Sequence, residues 1–192
     1  MLTKSEIRRN LLGTFEVCLL MTDADKRFHS DSKEALRSFI IPALFFPLSI
    51  FIFFLEPEMG AFNGSSDNFV VLLYCLRYTF ALGFFLLLMY YLSKTIRREQ
   101  YFWKFVSANN WLTIPRAILF TPIAVLLLQG GYSHSELAVY LTAAMVYSYV
   151  CMGFIAMIAL RIPWKLAGFI VFISLAINEG SYKVLLWVGE YI

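Results

Sequence analysis

The chain has 192 residues, of which 60% are hydrophobic and 15% charged, with a formal net charge of +3. Soluble domains carry about 45–50% apolar and about 25% charged residues. A mean hydropathy of +0.69, with 19 Phe, 11 Tyr and 4 Trp, therefore excludes a disordered, collagen-like or ordinary cytosolic chain and makes lipid the expected solvent.

Residues 1–37 are polar, without the apolar core or small-residue cleavage site of a signal peptide, so the first apolar run is expected to direct insertion and remain. Thr3-Lys4-Ser5-Glu6 has the spacing of a capping box, in which hydroxyl and carboxylate satisfy each other's orphan amide donors. Ile7, Leu11, Leu12, Phe15 and Leu19 follow near helical spacing, opposite Arg8, Arg9 and Glu16. An N-terminal amphipathic helix is predicted. It either lies among the inner headgroups with Arg8 and Arg9 on anionic lipid, or packs its apolar face on the ends of the spans. Asp23-Ala24-Asp25-Lys26 reads as a turn. Asp31-x-x-Glu34 is a second candidate capping box, opening a helix that runs into the first apolar segment.

Residues 38–192 then form a transmembrane domain. A membrane helix needs about 20 apolar residues to cross about 30 Å of hydrocarbon, and five segments qualify: about 38–55, 69–92, 111–129, 137–160 and 164–188. Continuous apolar runs fit helices, whereas a barrel would alternate. The predicted fold is all-α, a bundle of five transmembrane helices. Pro42, Pro47 and Pro122 predict kinks inside spans rather than breaks.

The basic residues set the orientation. Thirteen of the sixteen Lys and Arg lie before span one, between spans two and three (among them Arg97 and Arg98), or between spans four and five. The opposite loops, 56–68 and 130–136, hold none and carry Glu56, Glu58, Asp67 and Glu136. By the positive-inside rule the N-terminus is cytoplasmic and the C-terminus outside. Trp103, Trp111 and Trp164 are expected at the inner interface and Trp187 at the outer one. Asn63-Gly64-Ser65 is a glycosylation sequon in the outer loop, of consequence only in a eukaryotic secretory membrane.

Charges inside the bilayer cost on the order of 2.5–3.5 kcal/mol and need a partner or an aqueous route. Arg116, close after Trp111, is expected to snorkel to the inner interface. Arg77 in span two and Glu179 in span five lie roughly 12 and 13 Å below the outer boundary. The matched depths predict an Arg77–Glu179 ion pair, with Asn178, Tyr74 or Tyr78 completing its shell. Lys183, four residues past Glu179, is an alternative partner. The cluster of Arg77, Asn178, Glu179 and Lys183 either fixes spans two and five together or marks a polar pathway.

Nothing resembles an enzyme's machinery. HExxH, GxSxG, Walker loops and paired carboxylates are missing. His29 and His134 fall on opposite membrane faces, and Cys18, Cys75 and Cys151 have no metal-ligand spacing. No cofactor, metal or nucleic acid is expected, the basic residues hugging the membrane instead.

Arg37-Ser38-Phe39 leads into span one, Asn109-Asn110-Trp111 leads into span three, and Arg161–Lys165 makes a short link between spans four and five. In these features and in its five-span layout the chain resembles the Yip1 family of small multi-pass membrane proteins, bacterial inner-membrane members in particular. The Asp-Leu-x-Gly-Pro signature of eukaryotic members is absent, and with it the basis for a Rab GTPase partnership. The resemblance implies a non-enzymatic scaffold or adaptor of the cell inner membrane, organising the membrane or binding membrane or cytoplasmic proteins through 1–37 and loop 93–110. A small transporter or channel subunit using Arg77, Asn178 and Glu179 is the other expectation. Ala143, Ala144, Gly153, Ala156 and Ala159 in span four would serve a helix contact inside the bundle or in a homo-oligomer.

Overall fold

A computed structural model of the chain describes residues 2–56, 60, 62 and 64–191. Glu58 and the acceptor Asn63 of the sequon lie outside them. The described residues are helical without strands: α1 Lys4–Cys18, α2 Ser32–Ser38, α3 Ile40–Phe53, α4 Asp67–Thr95, α5 Phe102–Trp111, α6 Thr113–Leu128, α7 His134–Leu160 and α8 Trp164–Glu190, with 3-10 turns at Thr22–Arg27 and Glu99–Tyr101. Five continuous helical stretches are long and apolar enough to cross a membrane: Ser32–Phe53, Asp67–Thr95, Glu99–Leu128, His134–Leu160 and Trp164–Glu190. A 27-residue helix is about 40 Å long, against about 30 Å of hydrocarbon, so these helices overshoot the lipid core.

Proline positions explain where the stretches are jointed. Pro42 has no amide to donate to Ser38 and its ring crowds that carbonyl, so α2 ends at Ser38 and α3 begins after Phe39. Pro115 does the same to Trp111, and α5 hands over to α6 at Leu112. Pro47 and Pro122 stay inside α3 and α6. Capping follows local chemistry. Thr3 and Glu6 form the expected box, and Ser133 and Glu136 form a second at the start of α7. Asp31 caps α2 by accepting from the Lys33 and Glu34 amides, but the Glu34 side chain turns inward and leaves the box half made.

The main core lies at the end of the molecule that carries the N-terminus. Phe105, Val106, Trp111, Leu112, Cys151, Met152, Ile155, Leu160 and Ile170 are at most 2% exposed there, with Val17 and Phe28 from the N-terminal segment. This corrects two expectations. Residues 102–111 are a buried helix between α1, α2 and α7 rather than an exposed loop. Trp111 belongs to that core instead of an interfacial belt, whereas Trp164 and Trp187 are exposed. The physical reason is that Phe102, Phe105, Val106, Ala108 and Trp111 are apolar on several faces, and the charge of Lys104 is met by Asp25 at 2.6 Å.

Ion pairs brace residues 2–37 internally, and Asp25 ties the segment to Lys104 and Arg161 beyond it. Glu34, its side chain only 5% exposed, accepts from Arg9 and from Asn10 Nδ2 at 2.9 Å, with His29 Nδ1 at 3.5 Å. Arg37 pairs with Glu6, Arg27 with Glu16, and Arg161 approaches Asp25 at 3.7 Å. The inward face of α1 is Asn10, Gly13, Thr14 and Val17. Gly13 permits the closest approach, since a Cβ there would lie 2.6 Å from Arg27 Cβ. The predicted apolar stripe faces outward, leaving Ile7, Leu12, Phe15 and Leu19 exposed. Tyr147 of α7 donates to the Cys18 carbonyl, fixing the end of α1 against the mid-length of that helix.

The opposite end is packed more thinly, around Phe53, Phe62, Val70, Tyr74 and Leu185 and, separately, Ile123, Leu137 and Ala144. In α7, Ala156 and Ala159 are buried and a Cβ on Gly153 would sit 3.1 Å from Val171, so these small residues serve contacts within the chain.

Candidate functional site: a cavity with two arginines

A cavity of about 540 Å³ lies between α3, α4, α6 and α8. Each helix contributes a stripe at helical spacing: Phe45, Leu48, Ser49, Ile52 and Glu56 from α3 and the turn after it, Tyr74 and Arg77 from α4, Thr113, Arg116, Ala117 and Phe120 from α6, and Asn178, Glu179 and Tyr182 from α8. A smaller cavity, about 160 Å³, shares Arg77, Thr113, Arg116 and Asn178 with the first and continues to Asn109 and Asn110 beside the main core. Asn110 Nδ2 donates to Ser38 Oγ at 2.9 Å, while Asn109 Oδ1 is buried with no hydrogen-bond partner among the described residues. On the far side of Arg77, a groove of about 710 Å³ between α4 and α8 is lined almost wholly by apolar residues such as Leu76, Phe80, Phe172 and Val184. Arg77 borders all three spaces.

Arg77 is held by neutral oxygens. Its Nη2 donates to Asn178 Oδ1 at 2.7 Å and to the Asn178 carbonyl at 3.1 Å, and its Nε donates to Ser181 Oγ at 3.3 Å. The guanidinium also stands over the rings of Tyr74 and Tyr182, at 5.6 and 5.3 Å from their centroids. Spans two and five thus meet at the matched depth, but through Asn178 and Ser181. The predicted Arg77–Glu179 ion pair is not formed among the described residues. Successive residues on a helix are rotated by about 100°, so Asn178 and Ser181, three apart, share the face towards α4. Glu179 is turned to the wall of the larger cavity instead. Lys183 is exposed and makes no ion pair with Glu179.

Arg116 was not singled out by the sequence as a site residue. It borders both polar cavities, is half-buried, and has no ion-pair or hydrogen-bond partner among the described residues. Counting depth from Trp111 hid it. Arg116 lies about 21 Å along the helical stretch from Phe102, on the face of α6 that lines the cavities. Glu56 was placed only in a loop; its carboxylate lines the cavity mouth, 4.0 Å from His134 Nε2.

Of the basic residues expected at the membrane surface, Arg8 and Arg97 are exposed and Arg98 is half-buried. Arg9 is turned inward, donating to the Arg27 carbonyl at 2.8 Å and pairing with Glu34. Arg97 adopts a left-handed backbone (φ 56°), which ends α4 and turns the chain towards α5. Among the described residues no group of three His, Cys, Asp or Glu side chains has the arrangement of a metal site. No protein-family profile, curated protein or solved structure matches the chain.

Proposed function

We propose that the protein is a non-enzymatic, multi-pass membrane protein whose five helices form one bundle around a solute pathway: a small transporter or channel subunit with Arg77, Asn178 and Glu179 on its polar route. The supporting observation is the 540 Å³ cavity, which reaches both Arg77 and Glu179 and continues past Arg116. A purely structural cluster needs no such space, because interiors that serve only packing are filled to near crystal density. The charge asymmetry of the loops supports a cytoplasmic N-terminus and an outer C-terminus, and the Yip1-like resemblance implies a bacterial inner membrane. Glu56 and Glu179 then guard an outer mouth. Flux of protons, chloride and phosphate into reconstituted vesicles tests the reading. Glu179→Gln should change the rate severalfold at unchanged thermal stability; equal flux in protein-containing and empty vesicles overturns it.

A second reading is a Yip1-like scaffold or adaptor, and the outward apolar stripe of α1 favours it. Ile7, Leu12, Phe15 and Leu19 are 41–72% exposed, with Lys4 and Arg8 on the same helix. An amphipathic helix with its basic groups beside the apolar face suits the inner headgroup region, or a membrane or cytoplasmic protein partner. Of loop 93–110, the part in α5 is buried, and Lys94, Arg97, Glu99 and Gln100 remain as an exposed surface. Co-purification of one partner from mild detergent, lost on Phe15→Glu, would favour this reading.

A further inference from the structure

We propose that Arg77 and Arg116 form a binding site for an oxyanion, a phosphate or carboxylate carried on a lipid-soluble molecule. The inference deepens the solute-pathway reading by naming the ligand's chemistry. It rests on that reading for the identification of the cavity as a functional one.

Three observations carry it. Both guanidinium groups border the same two polar cavities, so a ligand at their junction meets both. Neither is in contact with a carboxylate, although Glu56 and Glu179 line the larger cavity: the partners of Arg77 are an amide oxygen, a backbone carbonyl and a hydroxyl, and Arg116 has no hydrogen-bond or ion-pair partner among the described residues. Cations in lipid surroundings take an anion or water to balance them, and the planar guanidinium fork fits a two-oxygen anion. Thr113 borders the same junction and adds a hydroxyl donor. Elsewhere in this chain, half-buried arginines do have carboxylates, as Arg9 has Glu34 and Arg27 has Glu16.

The direction of entry follows from charge. An anion arriving from water through the larger cavity passes Glu56 and Glu179, which repel it. The groove between α4 and α8 reaches Arg77 with no carboxylate in its wall, and its apolar sides suit an acyl chain. An anionic amphiphile with its chain in that groove brings its head to Arg77, and Arg116 lies beyond it across the two cavities that both arginines line.

The test uses the full chain in nanodiscs of phosphatidylcholine, alone or doped with phosphatidylglycerol. Retained lipid is read by native mass spectrometry, and thermal unfolding is followed with and without inorganic phosphate. Wild type should retain phosphatidylglycerol over phosphatidylcholine by about tenfold, and Arg116→Gln should abolish the preference. If Arg116→Gln fails to fold, Arg116→Lys should weaken the preference, because a point charge replaces a fork. Lys165→Gln, a surface change, should leave it intact. Stabilisation by phosphate without lipid preference would overturn the lipid-borne anion and the entry route through the groove. Equal retention of both lipids with no effect of phosphate overturns the proposal. Because binding is read at equilibrium, absent flux in vesicles would sink the transport reading and leave this result standing.

Discussion

At the N-terminal end of the molecule, the faces that α1, α2, α5 and the adjoining part of α7 turn to one another exclude solvent almost completely, and Asp25 and Glu34 each meet cationic side chains. At the other end, Leu44, Val139 and Tyr140 are at least 65% exposed, and α3, α4, α6 and α8 enclose a cavity with two arginines that no carboxylate among the described residues contacts. The difference follows from solvent. Beside water, apolar area is driven out of contact and every charge needs a local partner. In lipid, tails are as apolar as Leu and supply no drive to close helices together, so space between them survives unless side chains fill it. Arginines left out of contact with the carboxylates of that space are therefore a choice of sequence rather than a packing accident.

The largest effect expected from this contrast is in paired tryptophan truncations. Trp111→Ala removes a side chain that is 1% exposed and should cost about 3–5 kcal/mol. Trp187→Ala, at 59% exposure, should cost under about 0.5 kcal/mol. Thermal unfolding of both variants in one detergent checks this. Equal losses would show that the two ends unfold on equal terms and that the contrast is not energetic.

Glycines sharpen the same comparison. At Gly13 a new Cβ would stand 2.6 Å from Arg27 Cβ and 3.0 Å from the Phe28 ring, so Gly13→Ala should cost about 1–3 kcal/mol and free α1 to protease. At Gly83, in the lipid-exposed middle of α4, no atom lies within 4 Å. Gly83→Ala should be neutral or gain up to about 1 kcal/mol of helix propensity. A protected α1 in Gly13→Ala would mean that the segment is held by its ion pairs alone.

The legible parts of this protein were those written in one dimension. The long apolar runs fixed the five stretches, and Thr3-x-x-Glu6 marked the start of α1. Rotation about a helix axis was not legible in the same way. Spans two and five do meet beside Arg77, but one residue of azimuth gave it to Asn178 in place of Glu179. The apolar stripe of α1 was readable, yet which face packs was decided by Gly13, a residue with no side chain to attract notice. Arg116 was read as snorkelling because it follows closely after Trp111, and the cavities it borders arise from packing between helices that a linear count does not show. Ser181 had a usable signal: with Asn178 and Tyr182 it makes a polar stripe at i, i+3 and i+4.

The smallest effect concerns how α1 stays docked. Glu6 accepts from the Thr3 amide at 2.7 Å and pairs with Arg37, and these two contacts, the backbone one first, hold its carboxyl below the ordinary carboxylate value. A carboxyl whose pKa is lower in the folded state gives a stabilisation that is complete above its unfolded value, about 4.3, and is lost as pH falls through the folded one. Glu6→Gln should therefore lower the protection of residues 4–18 from hydrogen exchange by a constant amount above about pH 5. Below that the gap from wild type should close, as protonation turns the native carboxyl into a neutral group like the amide. A gap that persists at pH 3 would mean that geometry at the cap, rather than charge on Glu6, anchors the helix. The docking of α1 would then resemble the neutral contacts of Arg77 more than the ion pairs around Glu34.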